Sequence, residues 1–287
     1  MFGNLAETYW EDIYKNLNKG ICRTCYQEVV GSSKRNLGRL QPIPYVGALF
    51  GDRKERLMFI GIESYSSEKR RSEEDWEFDE FKTQQVEDLY FGRKGSGVEY
   101  SPFWEWVRVI STKILSPEHL DKKGKLEYAF PRIAYSNLHK CQNWRANQDS
   151  SKTTYNLIEM LSTNCIKRAR YVYDEIKKIN ARHVIVFAGT KRSETLGFFL
   201  ARLFLGYENK SIQTYRYSEP EWQKRNGKDI LIKMKDNERR FIVTNHPQGT
   251  PTEIRDKIIR IIKENDWEDA EQLNIAENQT VEARKAD

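Results

Sequence analysis

Apolar positions along this chain come in short bursts of two kinds. The first kind is continuous. Leu57 to Ile60, and "HVIVFAG" at 183–189, are apolar runs of the length and density expected for strands buried on both faces. "RIAYSNLHKC" predicts another strand ending near Asn137, and "DILIKM" and "RRFIVTNH" predict two more. The second kind recurs with a helical period. Leu5, Trp10, Ile13 and Leu17 share one face over 5–18, and "PFWEWVRVISTKIL" predicts a helix over 102–115 with Pro102 in its first turn. Ala169, Val172, Tyr173, Ile176 and Ile179 predict a helix over 165–180 with Asn164 as N-cap, and a further helix is expected at about 193–205. In "TPTEIRDKIIRIIKEN", Thr250 reads as N-cap, Pro251 as the first helical residue and Glu253 as the partner closing a capping box. Ile254, Ile258, Ile261 and Ile262 form the buried stripe of that helix.

Strands alternating with helices predict a three-layer α/β/α fold around a central, mostly parallel sheet of four to five strands. Residues 31–56 read as a Gly-rich and basic connection. Residues 66–100 are dense in charge and read as an insertion or lid. The pattern predicts one domain over 1–266 and a loose polar tail over 267–287.

Composition adds direction. The chain has 287 residues and a net charge of +6, which favours a polyanionic partner. Aromatic residues make up 12%, enough both to pack a core and to stack on a ligand. No apolar run has the length of a membrane span, and the N-terminal segment carries acidic residues and no apolar h-region. A cytoplasmic protein is expected, and its four cysteines then read as thiols or metal ligands rather than disulfides. The chain has no G-x-S-x-G, no G-x-x-x-x-G-K-S/T and no G-x-G-x-x-G following a strand, which argues against the common serine-hydrolase and nucleotide-binding folds.

The candidate chemistry lies at strand ends, where α/β sheets bind ligands. The first strand runs into Gly61-Ile62-Glu63-Ser64-Tyr65, the second into Ser136-Asn137, and the last into Asn245-His246-Pro247-Gln248-Gly249. Glu63, Asn137 and His246 are expected on one rim. They would supply a carboxylate for acid–base or cation-stabilising work, an amide for hydrogen-bond readout and a titratable donor.

In order along the chain, these motifs resemble the uracil-DNA glycosylase superfamily. "FIGIESYS" is similar to its first motif, which reads G-Q-D-P-Y-H in one branch and G-E-A-P-G in the iron–sulfur branch. "RIAYSNLHKCQNWRANQ" resembles the second strand and cysteine loop of the iron–sulfur branch, "VIVFAG" its next strand, and "NHPQG" its H-P-S motif. Cys22 and Cys25 in C-x-x-C spacing, Cys141 and Cys165 stand where that branch holds its cluster ligands. Four thiolates suit a 4Fe–4S cluster, and they suit tetrahedral zinc equally.

The resemblance implies a DNA-binding, base-flipping, monomeric enzyme that hydrolyses an N-glycosidic bond. Asn137 would read the base edge, His246 would donate to the departing base, Phe103 would stack on it, and Glu63 would orient the water. Tyr65 would wall the pocket, and backbone groups of the 61–65 loop and of Gln248-Gly249 would seat phosphates. Ser64 replaces the family's Pro, Ile62 its acidic residue in G-E-A-P-G, and Gln248 the Ser of H-P-S. Together with the long charged segment, these departures imply a reshaped pocket. The expected substrate is a modified or damaged pyrimidine, a glucosylated hydroxymethylcytosine of phage DNA being one case in antiviral defence. The alternatives are a uracil glycosylase of DNA repair and an inactive iron–sulfur DNA-binding module.

Overall fold

The computed structural model describes residues 22–27, 37–40, 44–61, 65–66, 83–92, 101–138, 141–144, 171–187, 212–216, 230–235, 238–248 and 250–265. It divides into two compact units, Met1–Arg182 and His183–Asp287. The class is α/β, with strands alternating with helices. The expected helices at 5–18 and about 193–205, the Asn164 cap and the tail at 267–287 lie outside the described residues.

In the first unit, β1 (Leu37–Leu40) precedes the two-residue β2 (Tyr45–Val46) and the buried β3 (Leu57–Gly61). Next come β4 (Tyr65–Ser66), then helices α1 (Thr83–Phe91), α2 (Pro102–Leu115) and α3 (Lys122–Ala129). Strands β5 (Ile133–Asn137) and β6 (Cys141–Trp144) follow, and then α4 (Tyr171–Lys178). Strand β5 runs parallel to β3 and antiparallel to β2, while β6 pairs antiparallel with β1 and parallel with β4. Helix α2 occupies the span its period predicts and buries Phe103, Trp104, Trp106, Val107, Ile110 and Leu115.

Part of the highly charged segment is α1. Its Val86 and Tyr90 are buried, and Tyr90 packs at 4.9 Å on Phe130, which itself stacks at 4.9 Å on Tyr45. Arg108 of α2 donates to the carbonyls of Leu89 and Tyr90, satisfying acceptors that the end of α1 leaves open, and Gly92 turns the chain away with φ +64°.

In the second unit, β7 (His183–Phe187), β8 (Ile212–Arg216), β9 (Ile230–Lys235) and β10 (Arg240–Thr244) line up in the order β7-β10-β9-β8. Only β7 and β10 are parallel; β10–β9 and β9–β8 are antiparallel. The expectation of a mostly parallel sheet is therefore corrected to a mixed arrangement. The cause is connection length: the few residues between Lys235 and Arg240 permit a hairpin and no crossover.

Helix α5 (Thr252–Lys263) buries Ile254, Ile258, Ile261 and Ile262 as its stripe predicts. Its start differs from the expected one. Pro251 is the N-cap, no side chain caps the helix, and the Thr250 hydroxyl instead donates to the carbonyl of His246 at 2.7 Å. Thr250 sits one residue too early to reach an N2 or N3 amide, so the capping box does not form.

Candidate functional site

The parallel pairing of β3 with β5 brings the two strand ends level. Ile60 lies opposite Ser136 and Gly61 opposite Asn137. The amide of Leu138 then donates to the Gly61 carbonyl at 2.8 Å, which holds the two exits side by side. A Cβ on Gly61 would fall 2.8 Å from Oδ1 of Asn137 and 3.5 Å from both the Phe103 ring and the Tyr135 hydroxyl. The contact with Oδ1 is the one a methyl could not share, while the two at 3.5 Å are ordinary packing distances, so glycine keeps room for the Asn137 amide. The start of α2 delivers Phe103, whose ring meets Tyr135 edge-on at 5.6 Å, while Trp104 packs on Tyr135 at 4.9 Å.

Strand periodicity sorts the polar groups of β5. Tyr135 and Asn137 share one face, and Ser136 faces the other way. The Tyr135 hydroxyl donates to Oδ1 of Asn137 at 2.8 Å. Burial pushes the Tyr135 hydroxyl well above its usual pKa, so it remains a proton donor. On the opposite face, the Ser136 hydroxyl donates at 2.7 Å to the buried Glu175 carboxylate of α4. Tyr135 was not anticipated from sequence. Its signal is its position two residues before Asn137, which puts it on the same strand face.

In the second unit, β10 runs out into Asn245 and His246. The backbone N–H of Gln248 donates to Nδ1 of His246 at 3.2 Å. Burial lowers the His246 pKa, favouring the neutral ring. A neutral ring that accepts at Nδ1 carries its proton on Nε2, so His246 offers an N–H donor at that atom. The Gln248 side chain itself is exposed.

The structure thus gathers Gly61, Phe103, Tyr135 and Asn137 within the first unit, and orders His246 through Gln248 within the second. Of the other expected site residues, Tyr65 is placed by its backbone only, opposite Asn143 in the β4–β6 pairing. Ile62, Glu63, Ser64 and Gly249 lie outside the described residues.

Of the expected metal ligands, Cys22 and Cys25 stand one helical turn apart in the helical residues 22–27, and both are buried. The Cys22 sulfur lies 3.3 Å from the Tyr171 hydroxyl at the start of α4, six residues after Cys165 in sequence. Cys141 opens β6 with its backbone opposite Leu40, and Cys165 lies outside the described residues. Two buried thiols at i and i+3 fit half of a four-sulfur donor set. Among the described residues no group of three or more His, Cys, Asp or Glu gathers around one point. No helix among them is long and apolar enough to cross a membrane.

No protein-family model matches the chain, and no curated protein does.

Proposed function

We propose that this chain is a DNA N-glycosylase with the three-layer fold of the uracil-DNA glycosylase superfamily. The observation that carries the reading is the closure of Phe103, Tyr135 and the Asn137 amide around the side-chain-free Gly61 at two level strand ends. On this reading a flat ring lies against Phe103 while its polar edge meets the Asn137 amide, which is what reading an extruded base requires.

In the proposed reaction, the water oxygen bonds to C1′ of the sugar as the C1′–N bond breaks, and the bonding pair leaves with the base. Glu63 takes the proton from the attacking water and stabilises the cationic sugar by its charge. His246, neutral and protonated at Nε2, donates a hydrogen bond to the base oxygen on which negative charge develops. Asn137 fixes the base edge. The net charge of +6 favours the DNA backbone as partner.

Cys22, Cys25, Cys141 and Cys165 would hold a 4Fe–4S cluster, whose contribution is to cross-link the segments that carry them. The favoured substrate is a pyrimidine with a bulky 5-substituent, such as a glucosylated hydroxymethylcytosine. Ser64 in place of the family's Pro and the long charged segment before Pro102 support that choice.

The test is incubation with duplexes carrying uracil, hypoxanthine, 5-hydroxymethylcytosine or its glucosylated form, followed by alkaline scission at abasic sites. Scission of a bulky-pyrimidine duplex is expected. Scission of the uracil duplex alone would sink the bulky-base assignment, and scission of none would sink the glycosylase reading.

A further inference from the structure

We infer that Tyr135 is a positioning residue that sets the base selectivity of Asn137; this rests on the glycosylase reading above. A carboxamide has two rotations of nearly equal shape, which exchange its oxygen and its nitrogen. They present opposite hydrogen-bonding patterns to a base. A 4-keto pyrimidine shows an acceptor beside a ring N–H, and a 4-amino pyrimidine shows a donor beside a ring-nitrogen acceptor. An amide free to rotate would read both.

Here the rotation is chosen. The Tyr135 hydroxyl donates to Oδ1 at 2.8 Å, with Tyr135 8% exposed and Asn137 4% exposed. Turning the amide over would set an N–H group there; the phenol oxygen can accept from it, but the buried O–H then loses its acceptor. The hydroxyl is itself held in place by its ring, which Phe103 and Trp104 grip at 5.6 and 4.9 Å. Aromatic packing of α2 on β5 is thereby converted into a fixed donor–acceptor order at the strand end. The amide nitrogen carries two N–H groups, so the end turned from Tyr135 meets a ligand as a donor.

The experiment compares wild type with Tyr135→Phe, which keeps the ring and removes only the hydroxyl. Substrates are duplexes paired by identical 5-substituent, 5-hydroxymethylcytosine against 5-hydroxymethyluracil and cytosine against uracil, with kcat/KM measured by alkaline scission. The wild-type protein is expected to separate the members of a pair, and the variant to shrink that ratio about tenfold. An unchanged ratio, or a wild type that treats both members alike, overturns the role of Tyr135 and leaves the glycosylase reading standing. A wild type that cleaves no duplex is the failure of the glycosylase reading instead. A second readout needs no turnover: the side-chain N–H pair of Asn137 in asparagine-labelled protein, assigned by its loss in Asn137→Ala. That pair is expected to shift in Tyr135→Phe, and an unmoved pair overturns the positioning.

Discussion

The backbone N–H of Gln248 points at Nδ1 of His246 from 3.2 Å, so a main-chain group decides which imidazole nitrogen carries the proton. The donor left on the neutral ring is therefore Nε2–H. On the proposed glycosylase reading, replacing His246 with Ala removes that donor and is expected to lower kcat by about 10²–10³-fold, with little change in duplex binding. Single-turnover scission and a binding titration measure the two effects separately.

The same ring makes stability depend on pH. Burial holds the folded pKa of His246 below its ordinary value of 6.5. The unfolded chain then binds the proton first as pH falls, so this contribution is fully present above 6.5 and is lost progressively below it. The melting temperature is expected to drop on acidification from pH 6.5, and to drop less in His246→Gln. Calorimetry of both proteins over that range checks the difference.

Gly61→Ala places a methyl 2.8 Å from Oδ1 of Asn137, closer than packed atoms tolerate. Either the amide leaves the Tyr135 hydroxyl or β3 shifts against β5. Urea unfolding is expected to report a loss of about 1–3 kcal/mol, and the proposed base excision should fall further than stability alone would explain.

Ser136→Ala removes a 2.7 Å hydrogen bond to the buried Glu175 carboxylate. The expected cost is about 1–3 kcal/mol, the range for removing one partner of a buried hydrogen bond. Ser136→Thr keeps the hydroxyl and should recover much of it. Chemical denaturation of the two variants is the comparison.

The proposed four-cysteine cluster predicts a metal stoichiometry. Protein purified without oxygen should be brown and contain about four irons per chain, and Cys25→Ala should lose both the colour and the iron. A colourless protein with one zinc would instead identify a tetrahedral structural site.

The elements legible in sequence are those whose local pattern and tertiary role agree. Helix α2 appears over its full predicted span because its apolar face is wide and Pro102 marks its start. The continuous apolar runs at Leu57–Gly61 and His183–Phe187 form buried strands for the same reason. What escaped is short or depends on distant partners. Two-residue β2 has no periodicity to detect, and the buried Val86 and Tyr90 of α1 sit in a highly charged segment. Strand direction also escaped, since it follows from loop length more than from composition. At the strand ends, motif order points to Gly61, Phe103 and Asn137 but not to Tyr135. Its importance comes from a hydrogen bond, and the surrounding letters look like ordinary core.

The hydroxyl of Thr250 grips the carbonyl of His246, and immediately beyond it α5 is seated by Ile254, Ile258, Ile261 and Ile262. The bearing of the imidazole is thus inherited from oily packing. A truncation such as Ile258→Ala, which touches no polar group, would let the helix settle and swing the ring off its line. The histidine would keep its chemistry and lose its aim.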